Sequence, residues 1–428
     1  MSRSKNLYRT LMDKTILADF FQPAPTALSK VRHRVSNSTS LPMNIYMLVS
    51  CLRHLQGQKS MREQLQQMFH IANEEKMLIA RASYSEALNC QARALVLQNV
   101  VRELTKIAGV LLPDRLSKVE GVGARKIYAV DGIYEKESAH YGRKTPRDGG
   151  TDNHKGHMML TFYDVRLGVP IGVRIETSNR HELLVLKDEL LSKESCFEKV
   201  KGAIFIADRA FVHMSFWDNQ KSNSKTTMIT RSKTNLIFTS SQSRTVEANA
   251  INEGVSRDEE VTLQSSKEPW RRIFYKSPNG NDVEFLTNDF TLMPGVVAFL
   301  YLRRWDEEKC FDTWKNDFSC SKAWAKSIHG IYQQALFAIM TSILTALFSK
   351  HHQDSFNIGD GKCFKKQDVL SAHQTKVCGE RNPWYRRVYR AASKISKQVI
   401  RFLKMCFLTK ASHKVYERQL KPLLLMYL

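Results

Sequence analysis

Three acidic residues in this 428-residue chain stand where carboxylates could act together. Asp131 closes the apolar run IYAVD and precedes Gly132, and Asp208 closes AIFIAD and precedes Arg209. An acid at the end of an apolar strand lies at the sheet edge, where α/β folds bind ligands. Two such ends on neighbouring strands could share one metal site. Each alone is also an ordinary turn residue. The third acid lies in YLRRWDEEKCFDTWK, Tyr301–Lys315, which crowds Asp306, Glu307 and Glu308 among Arg303, Arg304, Lys309 and Lys315. At about 100° per helical residue, Tyr301, Arg304 and Lys315 fall within about 40° of Glu308. Cations on both sides of one carboxylate could hold a phosphodiester while the carboxylate holds a metal. The plainer alternative is a solvated helix with an ordinary Arg304–Glu308 pair.

These residues need elements to position them. KIYAVDGIY, HMMLTFYDVRLGVPIGVRIE and GAIFIADRAF are apolar runs rich in β-branched and aromatic residues, separated by turn signals such as Asp164, Gly168 and Pro170. SNRHELLVLKDELLSKE predicts a helix with Ser178 or Asn179 near its start. Three strands, a helix and a further strand predict a mixed α/β sheet. Strand texture returns in TTMITRSKTNLIFT, RTVEANAI, EEVTLQ, WRRIFYK and DVEFLTND, with a turn at Ser277–Asp282, and predicts an antiparallel block. Pro294 and Gly295 end it, and helix resumes through Tyr301–Lys315 and on through Phe348. The N-terminal segment carries apolar residues at helical spacing, with Ser83 and Glu86 as a candidate capping box. No internal repeat stands out.

Composition narrows the partners. The net charge of +23 and pI near 9.7 point to a polyanion, nucleic acid before an acidic membrane surface. An apolar content of 43% excludes a disordered tail. The eight cysteines form no CxxC pair, which argues against a zinc or disulfide framework, and with no secretory leader read they suggest a reducing compartment. ALFAIMTSILTALF, Ala335–Phe348, is too short for an ordinary membrane span and reads as a buried core helix. From Gly361 onward, sixteen Lys and Arg face three Asp and Glu, and Trp384, Tyr385 and Tyr389 alternate with Arg386, Arg387 and Arg390. That mixture suits phosphate contacts, or a basic helix covering the core.

The residues carry a family resemblance. Tyr301, Arg304, Glu308 and Lys315 match a Tyr-x2-Arg-x3-Glu-x6-Lys signature at every position, with Trp305 beside the Arg. AVDG resembles the strand of a first catalytic Asp, FIADRAF that of a second, and MITRSK the strand that opens a β insertion. On these motifs the chain resembles insertion-sequence transposases of the IS4 type, DDE transposases with an RNase H-like core, over roughly Lys126 to Phe348. Glu307 occupies a place where relatives often have an apolar residue, and register with Tyr301 and Lys315 selects Glu308. The resemblance implies an α/β, RNase H-like mixed-sheet core interrupted by an antiparallel β insertion. The expected organisation is a helical DNA-binding or packing region over residues 1–120 and a first part of the core over 121–224. The β insertion then covers 225–292, the second part of the core 293–350, and a basic helical region 351–428.

The same resemblance implies that Asp131, Asp208 and Glu308 bind two divalent ions, Mg2+ with Mn2+ as a substitute, about 4 Å apart for in-line displacement. Water would cut DNA at the element end, and the freed 3′-hydroxyl would attack the opposite strand or the target. Arg304, Lys315, Arg209, Arg231, Trp305 and Tyr301 would contact DNA. Trp270 and Phe285 are the aromatics that could receive a flipped base. His154, His157 and His181 read as hydrogen-bonding or surface residues before metal ligands. The implied partners are the element's terminal inverted repeats and target DNA, engaged by a dimer with no membrane role, in the bacterial cytoplasm at the nucleoid. An inactive DNA-binding remnant and another RNase H-like nuclease or recombinase are the alternatives.

Overall fold

In the computed structural model the described residues are 15–32, 41–56, 60–65, 79–136, 156–177, 180–277, 281–318, 323–325, 327–356, 397–405, 418–422 and 424. His154, the tip of the Ser277–Asp282 turn, Cys320, Cys363, Cys378, Cys406 and the Trp384–Arg390 stretch lie outside them. The chain forms two units, one of Pro113–Phe311 and one of Met1–Leu112 with Asp312–Leu428.

The Pro113–Phe311 unit is mixed α/β. Its strands are β1 (Ile127–Lys136), β2 (Gly156–Asp164), β3 (Val169–Thr177), β4 (Ile204–Ala207), β5 (Thr227–Arg231), β6 (Phe238–Ser243), β7 (Val255–Leu263), β8 (Trp270–Lys276) and β9 (Asp282–Thr287). They make one nine-stranded sheet in the order β3-β2-β1-β4-β5-β9-β8-β7-β6. The first three are antiparallel, β4 and β5 run parallel to β1, and β9 to β6 extend the sheet antiparallel. The central strands are buried on both faces, as β4 with its four buried residues illustrates, so their sequences are continuous apolar runs rather than alternating ones. Phe162 stacks on Phe197 at 4.4 Å, and Phe205 meets both Phe197 and Trp217.

Several local expectations are corrected. The helix after β3, Glu182–Leu191, begins later than Ser178 or Asn179, and the His181 side chain caps it by accepting from the Leu183 N–H. RTVEANAI is not a strand. Asn249 accepts from the Asn252 N–H and draws the chain into a 3-10 turn at Ala250–Asn252, a local side-chain bond that competes with ladder pairing. The helix carrying the third acid is broken. One helix ends at Leu302, the next starts at Arg304 and ends at Asn316, and a third begins only at Ile328.

The other unit is helical among its described residues. With the helices numbered in chain order, α1 is Thr15–Phe21, α2 Pro23–Lys30, α3 Met43–Gln56, α4 Arg81–Asn89 and α5 Gln91–Leu111. The sheet unit then supplies α6 (Glu182–Leu191), α7 (Met214–Ser224) and α8 (Pro294–Leu302). α9 (Arg304–Asn316) crosses from one unit to the other, and α10 is Ile328–Ser355. α10 is long and apolar enough to cross a membrane, but 83% of its apolar window is buried within the protein, against α5, α3, α4, α2 and α1. The expected core helix is therefore found, longer than its apolar run. The Ser83–Glu86 capping box does not form, because α4 starts two residues earlier, after Ala80. A reciprocal box forms instead at Ser60 and Glu63, where each side chain accepts from the other's backbone N–H.

Candidate active site

The parallel register of β1 and β4 pairs Val130 with Ala207. Asp131 and Asp208, one residue further on each chain, therefore lie side by side, about 4.8 Å apart at the backbone. The neighbouring-strand condition for a shared site is met. Asp131 is not at the end of its strand, since β1 runs on to Lys136. It reaches an edge because β4 stops at Ala207 and the chain turns at Asp208. The Asp208 carboxylate accepts from the Ala210 N–H at 2.7 Å, and its carbonyl accepts from the Thr230 hydroxyl at 3.1 Å, tying the turn to β5. Asp131 accepts from the Gly132 N–H at 2.9 Å.

Arg304 joins the third acid to these two. Its guanidinium lies 2.9 Å from Asp131 and 2.7 Å from Glu308. It is held well above its usual range because Tyr301, Glu308 and Asp131 together outweigh the burial that opposes its charge. Burial, with Asp208 and Glu182 adding, pushes Asp131 up from the ordinary 3.8 to about 6 despite Arg304 and the Gly132 N–H. The carboxylates of Asp131, Asp208 and Glu308 do not converge within 4.8 Å of one another. Among the described residues the one grouping that tight is Asp19, His351 and His352, in the helical unit. A cationic group between two acids marks where positive charge is stabilised here. The donor set is oxygen only, which suits a hard divalent cation. The residues present thus fit such an ion.

Tyr301 lies in the last turn of α8 and is 5% exposed; its ring packs on Phe285 at 5.0 Å and lies under the Arg304 guanidinium. Trp305 is 55% exposed. Arg209 is exposed beside Asp208, and Arg231 is half-buried at the end of β5. Lys315 is exposed on α9 in the part of that helix belonging to the helical unit. His157 sits half-buried on β2. Trp270 and Phe285 are both core residues; the Trp270 indole donates to Asp218 at 2.9 Å, so neither ring faces solvent where a base could stack.

Two further acids lie at this site, and motif reading carried no sign of the first. Glu182, at the start of α6, is 4% exposed and lies against Gly132; a Cβ on that glycine would fall 2.3 Å from its Oε1. The glycine of AVDG is thus the space this carboxylate occupies. Glu307 is fully buried, and burial followed by Asp131 raises it well above the usual carboxylate range. The backbone of Asp131 is near it, but no well-formed hydrogen bond reaches either oxygen among the described residues. The only sequence signal for Glu307 was its competition with Glu308. The structure separates them, with Glu307 in the core and Glu308 paired to Arg304 at the half-exposed site.

The family model described as Transposase DDE domain matches residues 123–344. No curated protein matches the chain. Four chains of solved structures match. One, described as the cryo-EM structure of a piggyBac transposase synaptic complex with hairpin DNA, is 11% identical over 99% of this chain and 85% of its own, with a TM-score of 0.39. A likeness that slight carries no argument.

Proposed function

The chain belongs to the Transposase DDE domain family, whose model matches more than half of it, and from that premise we propose how its residues carry out DNA transposition. It is a DNA transposase, an enzyme of DNA cleavage and strand transfer that depends on divalent metal ions. The observation that carries the assignment of residues is the in-register placement of Asp131 beside Asp208, with Arg304 joining Asp131 to Glu308. The strand order β3-β2-β1-β4-β5 with β1, β4 and β5 parallel supports an RNase H-like core. The Tyr301, Arg304, Glu308 and Lys315 spacing supports the IS4 type.

Asp131, Asp208 and Glu308 would hold the divalent ions, Mg2+ by the chemistry of their oxygens. When bound, such ions supply a more acidic attacking hydroxyl and neutralise charge on the leaving oxygen. The chain's own residues do the rest. The short turn after β4 fixes the Asp208 carboxylate through its bond to Ala210. Arg304 neutralises Asp131 and Glu308 while the site is empty of substrate. When a scissile phosphate arrives, the guanidinium exchanges a carboxylate for a phosphate oxygen without leaving the site. The buried ring of Tyr301 sets the position of that guanidinium. Arg209, Arg231, Lys315 and the exposed Trp305 would contact the DNA backbone on either side. The terminal inverted repeats of the element and a target duplex are the proposed substrates. A dimer is the proposed working form, acting at the nucleoid in the cytoplasm.

Linear DNA carrying the gene's own flanking sequences, incubated with Mg2+ or EDTA, tests this. Metal-dependent cuts at a flanking repeat, lost in Asp208→Asn and Glu308→Gln, are expected. Tight DNA binding without cuts under Mg2+ or Mn2+ would identify an inactive remnant. Cuts without preference for flanking repeats would identify another nuclease.

A further inference from the structure

At the other edge of the same sheet lies a cavity of about 400 Å³ lined by Arg125, Lys201, Lys221, Lys225, Asn288 and Asp289, among others. Arg125 precedes β1, Lys201 precedes β4, Lys225 precedes β5, and Asn288 follows β9, which runs antiparallel to β5. All therefore lie at the ends of strands opposite Asp131 and Asp208. From Gly202 to Asp208 the chain climbs six residues, about 20 Å at the usual rise of a strand. This cavity is not part of the catalytic edge.

Its charge is one-sided, with four cations facing the single carboxylate of Asp289. That carboxylate is already used. One oxygen accepts from the Thr291 N–H, the Thr291 hydroxyl and the Leu292 N–H, and the other from Arg125 at 2.7 Å and the Thr227 hydroxyl. These partners hold Asp289 well below the usual carboxylate range against the burial that would raise it. Arg125 is locked by further bonds to the Gly202 carbonyl and the Thr227 hydroxyl. The half-buried Lys221 donates to Thr227, and burial, then Arg125 and Lys225, lowers it despite Asp289. Lys225 ends α7 in the left-handed region, φ 58°, the one described non-glycine residue there. Asn288 is 4% exposed. Its Oδ1 accepts from the Met228 N–H, which orients the amide, and its nitrogen donates to nothing among the described residues. The cavity wall thus combines crowded like charges with a donor that has no acceptor, a combination an anion relieves.

We propose that this cavity binds a phosphate group of the DNA backbone, anchoring a stretch of duplex away from the one at the catalytic acids. A polyanion is the substrate this chain handles, and Lys201 and Lys225 stand exposed at the mouth. The inference rests on the transposase reading.

The test uses the full-length protein and a fluorescent 50-base-pair duplex (length on the order of five helical turns), with anisotropy followed across a NaCl series. Lys201→Ala/Lys225→Ala should flatten the slope of log K against log salt by about 0.9, the contribution of one neutralised phosphate. Lys193→Ala/Lys276→Ala, which removes two exposed cations elsewhere, should change the slope by less than half as much. Asn288→Asp keeps an acceptor for the Met228 N–H but adds negative charge to the wall, and should weaken binding in the same direction. Slopes equal to the control's would overturn the proposal. So would broadening of the 31P signal of inorganic phosphate that vanishes in the double variant while duplex binding is unchanged, which would assign the cavity to free phosphate. A wild type that binds no duplex overturns the functional reading and this one together; duplex binding with an unaltered slope overturns this one alone.

Discussion

Asp131→Asn should stabilise the metal-free protein, although it removes one of the proposed metal-binding acids. Asp131 is raised from 3.8 to about 6, chiefly by burial, so the fold disfavours its ionised form. Below about pH 3 both folded and unfolded chains carry the proton and nothing is at stake. Between about pH 3 and 6 the unfolded chain gives up its proton first, and stability falls as pH rises. Above about pH 6 the full penalty stands. A rise of about two pH units, at about 1.4 kcal/mol each, is ~3 kcal/mol. Asparagine keeps an Oδ1 for the Gly132 N–H, and Arg304 retains Glu308 at 2.7 Å, so the carboxylate is removed without orphaning its neighbours. In a unit of roughly 200 residues, ~3 kcal/mol corresponds to an upward shift of about 6–12 °C in Tm. The assay is thermal unfolding of both proteins in EDTA from pH 4 to 8, with and without Mg2+. The variant's advantage should be full at pH 7.5, roughly half at pH 5 and about a fifth of its full size at pH 4, and Mg2+ should raise the wild type more than the variant. A variant that melts below the wild type at pH 7.5, or an offset undiminished at pH 4, would refute the reasoning.

Glu308→Gln should abolish metal-dependent cleavage, whereas Glu307→Gln, in the core, should leave cleavage measurable; comparing single-turnover rates checks the register. Gly295→Ala should destabilise by about 1–3 kcal/mol, because a Cβ would lie 1.8 Å from the Ile251 carbonyl oxygen; urea unfolding reads the loss. Arg271→Met should cost about 3–5 kcal/mol, as it leaves Asp258 buried without the guanidinium 2.6 Å away, and Asp258→Leu added to it should recover much of that loss. The double-mutant cycle in chemical denaturation fails this prediction if the second change makes the protein weaker still.

The strands that carry Asp131 and Asp208 were legible because parallel, doubly buried strands are continuous apolar runs, and the acids at their edge interrupt those runs. Arg304 and Glu308 were legible as a pair because a helix brings residues four apart together. The break at Arg303 was not, since it leaves Tyr301 and Arg304 in contact across two helices. RTVEANAI was misread because one asparagine side chain satisfies the backbone locally.

Sequence by itself determined the chemistry available: which residues are acids, which cations flank them, and the net charge of +23 that selects a polyanionic partner. Side-chain type and short-range spacing are properties of the chain, and a helix or strand reads them out through its own period. Tertiary structure alone decided that β4 ends beside Asp131, that Glu182 fills the space left by Gly132, and that Trp270 and Phe285 are core. It also decided that Arg125, Lys201, Lys221 and Lys225 meet at one sheet edge. Those outcomes depend on strand order and register between segments far apart in the chain, such as Arg125 and Asp289, 164 residues apart. Burial and long-range field are set by such distant neighbours, and no local pattern carries them.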